Sequence, residues 1–171
     1  VLALPPVETA EARIKGGGIL HIKVNEKTPT LMLKEKIGFT VLSKQGEFIR
    51  SVYSRENFSN LPVITGKGAE NAAAQANAIF KAMYGKLDRV RGLVFVGQRR
   101  WNLIMTSGQV IMLPEENPEQ AIQKILILDK AEQILSRNIS VFDLRLPSRI
   151  TLRIPPDKYG RINSKVIGVR N

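Results

Sequence analysis

Arg99–Pro114, RRWNLIMTSGQVIMLP, decides the fold together with the two stretches that follow it, Asn117–Arg137, NPEQAIQKILILDKAEQILSR, and Ile139–Pro156, ISVFDLRLPSRITLRIPP. In the first, Trp101, Leu103 and Met105 alternate along one arm and Ser107-Gly108 supplies a turn, which predicts a hairpin over 101–113. The second opens like a helix, with Asn117 as N-cap, Pro118 at the first helical position and Gln120 three residues after the cap. Ile122, Ile125, Leu128 and Leu135 give it a buried stripe. The third predicts a strand over Ile139–Arg145 and then a last strand, in which Ile150, Leu152 and Ile154 alternate with Thr151 and Arg153. Pro147 precedes that strand and Pro155-Pro156 ends it, which is the setting of an edge strand, with a row of free N–H and C=O groups that a partner's strand could use. Nothing in the three stretches has the look of an active site.

Near the N-terminus, Ala10, Ala12 and Ile14 alternate with Glu11, Arg13 and Lys15, and Leu20, Ile22 and Val24 with His21, Lys23 and Asn25. Gly16-Gly17-Gly18 joins the two runs, so residues 1–27 read as a separate unit built on a hairpin with one apolar face. Two strands alone are marginal in water, and that face expects further structure against it. Beyond Pro29, strands are predicted over Thr30–Leu33, Phe39–Ser43 and Glu47–Arg50, with turns at Gly38 and Gly46. Leu61–Gly66 reads as a break before a helix whose Ala72, Ala76, Ile79 and Met83 share a face and whose stop is Gly85. An apolar run at Leu93–Val96 leads into the hairpin. Strands interleaved with two helices through short links predict an α+β fold with a mainly antiparallel sheet.

The chain has 171 residues, no cysteine and a formal charge of +11, with 26 Lys and Arg against 15 Asp and Glu. A chain of this length buries roughly two-thirds of its unfolded surface. Without cysteine there is no disulfide, no thiolate nucleophile and no cysteine metal ligand. No apolar run is long enough to span a bilayer, and because the chain opens on Val1 and not Met, it reads as a fragment of a longer protein. The positive charge fits a nucleic-acid or anionic-lipid binding module, or an ordinary basic surface.

No residue set gathers into recognisable chemistry. His21 is the single histidine and has no second imidazole to share a metal with. Glu115, Glu116 and Glu119 stand at a helix start, where negative charge complements the helix dipole. Asp143 is the best lone catalytic candidate, but a carboxylate without an acid, base or metal partner reads as a hydrogen-bonding residue. Arg89, Arg91, Arg99 and Arg100 cluster before Trp101, yet stacking on a nucleic acid needs exposed aromatics, and the alternation makes Trp101 a core residue. The expectation is therefore a protein that is not an enzyme, uses no cofactor or metal, and binds no nucleic acid.

Five motifs in order resemble one family, the FtsQ/DivIB bacterial cell division proteins, and most of all its Gram-negative branch. They are LPPVETAEARI with LHIKVNEKTP (4–29), LPVITGKGAENAAAQA (61–76), RRWNLIMTSGQVIMLP, the helix after it, and ISVFDLRLPSRITLRI. The resemblance implies the C-terminal part of a POTRA domain over residues 1–27, a β domain over 28–156 and a basic tail over 157–171. It implies a divisome scaffold in the periplasm, held in the inner membrane by one helix outside these residues. Its implied partners are FtsB and FtsL, with the septal peptidoglycan synthases FtsW and FtsI reached indirectly. The recognition positions near the DLR motif fall on Arg145, Leu146 and Ser148 and continue through Ile150, Leu152 and Ile154. Leu146 and Ile154 stand where other members carry aromatic residues.

Overall fold

The computed structural model describes Leu4, residues 6–155 and, as backbone, residues 164–168. Twelve strands and two α-helices follow in order: β1 (Val7–Lys15), β2 (Ile19–Glu26), β3 (Leu31–Lys34), β4 (Phe39–Leu42), β5 (Phe48–Val52), β6 (Val63–Thr65), α1 (Ala73–Ala82), β7 (Val90–Val96), β8 (Arg100–Met105), β9 (Val110–Met112), α2 (Pro118–Glu132), β10 (Val141–Asp143), β11 (Arg149–Arg153) and β12 (Ser164–Gly168). The fold is α+β, as the interleaved pattern predicts. β1 and β2 form a two-stranded sheet of their own, and the other ten make one sheet in the order β12-β11-β10-β9-β8-β7-β6-β3-β4-β5. Six of its pairs are antiparallel; β3–β6, β6–β7 and β9–β10 are parallel.

Alternation along the strands divides the residues between two cores. Trp101, Leu103 and Met105 of β8, Leu93 of β7, Phe142 of β10 and Ile150 and Leu152 of β11 pack with Ala76, Ile79 and Phe80 of α1 and Ile122 and Ile125 of α2. The helices therefore cover one face of the sheet. A smaller core on Met32, Val41 and Ile49 lies under Phe58 and Leu61 of the segment after β5. Trp101 is fully buried, its ring 4.5 Å from that of Phe95, its cross-strand neighbour. It offers no platform for a base.

Three local expectations are corrected. Leu61–Gly66 is more than a break: Val63–Thr65 is β6, paired in parallel with β3 and β7 at the middle of the sheet. Three residues between Pro62 and Gly66 are too few to show an alternation. Asn117 is the N-cap of α2 and Pro118 its first helical residue, as predicted, but Asn117 makes no side-chain cap bond: its backbone is left-handed (φ 49°), and its carbonyl accepts the Gln120 N–H at 3.1 Å. Leu135 lies past the end of α2, where Gln133 turns left-handed, in a 3-10 turn over Ile134–Ser136, yet is buried as the stripe requires.

The β1–β2 hairpin forms as predicted, with Ala10, Ala12 and Ile14 paired with Val24, Ile22 and Leu20, and Gly17 and Gly18 take left-handed turn conformations. Among the described residues nothing covers its apolar face, where Ile14 is 79% exposed. Its base is tied down by the Lys27 N–H to the Pro6 carbonyl, 2.7 Å, and by Lys27 Nζ to Glu47 Oε2, 3.2 Å.

Candidate protein-docking site

Each residue that the resemblance singles out lies toward one end of the ten-stranded sheet, in β11, directly after it, or in the turn between β10 and β11. They differ in what they can do. Arg145, Leu146 and Ser148 are exposed in the turn, Leu146 by 51%. Ile154, just after β11, is half-buried. Ile150 and Leu152 are 5% and 4% exposed and belong to the main core, so their side chains hold β11 onto the domain and are not free to meet a partner.

The expected free edge at residues 149–154 is also corrected. β11 has two neighbours. β10 pairs with it from Val141↔Arg153 to Asp143↔Thr151, and β12 from Arg149↔Gly168 to Arg153↔Ser164. The tail read from sequence as lying outside the β domain thus supplies a strand to its sheet. Little in the sequence announces it beyond the β-branched pair Val166-Ile167, since a short strand joined by a long link carries no turn signature.

The turn is held by one carboxylate. Asp143 Oδ1 accepts from Arg145 Nε at 2.9 Å and from the Arg145 backbone N–H at 3.1 Å, while Oδ2 accepts from the guanidinium at 2.6 Å. The Arg145 side-chain bonds hold the Asp143 carboxyl below the usual carboxylate range; partial burial opposes this, and the Arg145 N–H and the charges of Arg145 and Arg100 add to it. With both oxygens engaged, Asp143 is structural, as its sequence setting predicts. The Arg149 N–H closes the turn onto the Leu146 carbonyl at 3.3 Å.

Beside the turn lies a groove of about 160 Å³ between the start of α2 and the β10–β11 connection. Leu144, Leu146, Pro147 and Ile150 form one wall, Pro114, Asn117 and Ala121 the other, with Glu116 and Lys124 at the rim. It was not legible in the sequence, because its two walls come from residues 114–124 and 144–150, stretches that only tertiary packing brings together.

Of the basic cluster, Arg89 donates to the Leu135 carbonyl at 2.9 Å and Arg91 to the Thr106 carbonyl at 3.4 Å. These two serve the fold. Among the described residues no three His, Asp or Glu side chains gather to hold a metal ion.

The model of the FtsQ/DivIB C-terminal domain, described as that of a cell division protein, matches residues 32–145. Curated relatives described as cell division protein FtsQ include one from Paracoccus denitrificans (strain Pd 1222), 42% identical over 90% of this chain and 45% of that protein. Another, from Jannaschia sp. (strain CCS1), is 38% identical over 89% of this chain and 49% of that protein. A third, from Rhizobium radiobacter, is 35% identical over 90% of this chain and 73% of that protein. The chain thus spans about half the length of the first two. A solved extracytoplasmic domain of the cell division protein DivIB from Geobacillus stearothermophilus is 13% identical at a TM-score of 0.44, covering 66% of this chain and 99% of that one, too loose a likeness to carry an argument.

Proposed function

The chain belongs to the FtsQ/DivIB family of bacterial cell division proteins, and from that premise we propose that it is a non-enzymatic scaffold of the divisome that binds FtsB, and FtsL with it, in the periplasm. The partner adds a strand along β11, and through it early division proteins are linked to the septal peptidoglycan synthases FtsW and FtsI. In this reading residues 1–27 are the end of a POTRA domain, whose remainder would cover the bare face of the β1–β2 hairpin, and a helix outside these residues anchors the protein in the inner membrane.

The observation that carries the reading is the convergence of three features at one end of the sheet. β11 is held in place by Ile150 and Leu152 facing inward. The exposed Arg145, Leu146 and Ser148 stand at its head. The apolar groove beside them could take a partner's side chain. Strand addition draws its affinity from main-chain bonds and its specificity from such pockets, so the burial of Ile150 and Leu152 is compatible with it.

Calorimetric titration with the periplasmic part of FtsB, at low and moderate salt, tests this. One-to-one binding that survives salt supports it. No binding to FtsB, together with salt-sensitive binding to DNA or anionic vesicles, would replace it by a basic nucleic-acid or anionic-lipid binding module.

A further inference from the structure

We propose that β12 is a built-in competitor for the docking edge, so that a partner strand joins the sheet by displacing it. This rests on the reading that the partner docks along β11. A strand has two hydrogen-bonding edges, and those of β11 are both taken, one by β10 and the other over all five of its residues by β12. The partner's place beside β11 is therefore filled by the chain itself.

β12 is built to be exchanged. It is five residues long and ends on Gly168, a poor strand residue. The link from β11 is residues 154–163, longer than a two-residue hairpin loop, and its sequence begins Ile154-Pro155-Pro156. β11 does not depend on β12 alone for its position, because Ile150 and Leu152 tie it to the main core and β10 pairs with its other edge. Losing β12 would leave the sheet ending on an anchored strand.

Competition of this kind sets a threshold. A tether the length of residues 154–163 holds a strand at an effective concentration on the order of millimolar. The apparent affinity of an outside strand falls by the fraction of time the edge is open, so a β12 paired nine-tenths of the time weakens the partner about tenfold. Partners able to use the groove as well as the edge would overcome this, whereas unrelated extended peptides would not, which also protects the sheet end from casual pairing.

The test uses the full 171-residue chain and its Val166→Pro/Ile167→Pro variant, each titrated with the periplasmic part of FtsB. Successive residues of a strand direct their N–H groups to opposite edges, so one of the two prolines removes a donor facing β11 whatever the pattern. The variant should bind about tenfold more tightly. In the wild-type chain, saturating partner should make the amides of 164–168 exchange faster with solvent while those of 149–153 stay protected. Equal or weaker binding by the variant, with 164–168 still protected in the complex, would overturn the exchange and leave the docking function standing. If neither chain binds, strand addition at β11 fails and the exchange with it.

Discussion

Asp143 and Arg145 form a two-pronged ion pair across the turn from β10 to β11, with the guanidinium 2.9 and 2.6 Å from the two carboxylate oxygens. The same carboxylate takes the Arg145 backbone N–H, so one side chain fixes both the path of the chain and the orientation of the cation. Asp143→Ala should cost about 1 kcal/mol, mostly from the lost backbone bond, since a pair this open to solvent contributes little by charge. Urea unfolding of the two proteins checks it. With Arg145 no longer held, binding of the FtsB segment should weaken as well.

Acid should unfold the chain partly through two carboxyls. Asp129, 6% exposed on α2, would have its ionisation opposed by burial, but Lys86 Nζ at 2.8 Å, the Leu135 N–H at 2.8 Å and the charges of Lys86 and Arg89 hold it below the usual range. Asp143 is lowered too. A carboxyl whose folded pKa is depressed adds stability that is complete above its unfolded value, about 3.9, and is lost as pH falls through the folded value. Urea midpoints should therefore drop below about pH 4, and Asp129→Asn should flatten that drop.

At neutral pH, Asp129→Ala should cost about 2–3 kcal/mol, because it leaves the buried Leu135 N–H without an acceptor. The Lys86 side chain is 36% exposed and can turn to water, which keeps the loss below that of a fully buried pair. Thermal and urea denaturation should agree on the size.

Charge at Leu152 and charge at Leu146 should have opposite consequences. The sequence pattern predicts that a charged residue replacing Leu152 weakens partner binding in a folded domain; its burial makes Leu152→Asp a core lesion that lowers Tm sharply or prevents folding. Leu146→Glu should leave stability within about 0.5 kcal/mol and weaken the FtsB segment about tenfold, an interface-sized effect. An unchanged affinity for Leu146→Glu would remove the turn and groove from the docking surface.

Gly46→Ala should cost more than about 2 kcal/mol, the range of backbone strain and steric overlap combined. Gly46 has φ 88° in the turn between β4 and β5, and a Cβ there would overlap the Glu70 carbonyl and press on Ala73. Circular dichroism melting reads the effect directly.

Much of the fold was legible because local pattern and final position agree. Trp101, Leu103 and Met105 alternate and are buried; Ile122 and Ile125 share a helical stripe and face the sheet. β6 escaped because three residues cannot display a period of two, and the parallel neighbours that make it a strand are more than 25 residues away on either side. Asn117 stands at the N-cap that its residue type announces, but nothing in its local sequence announces the left-handed backbone that leaves its side chain without a cap bond.

For the docking site the division is sharper. Motif order and alternation, which are written locally, were enough for the family, the α+β class and the stretch we propose for docking. Only packing settles which of the six positions proposed for recognition face water and which face the core, that Asp143 is spent on Arg145, and that residues 164–168 lie along β11. Exposure and strand neighbours depend on what packs against a residue from elsewhere in the chain, and no local pattern carries that information.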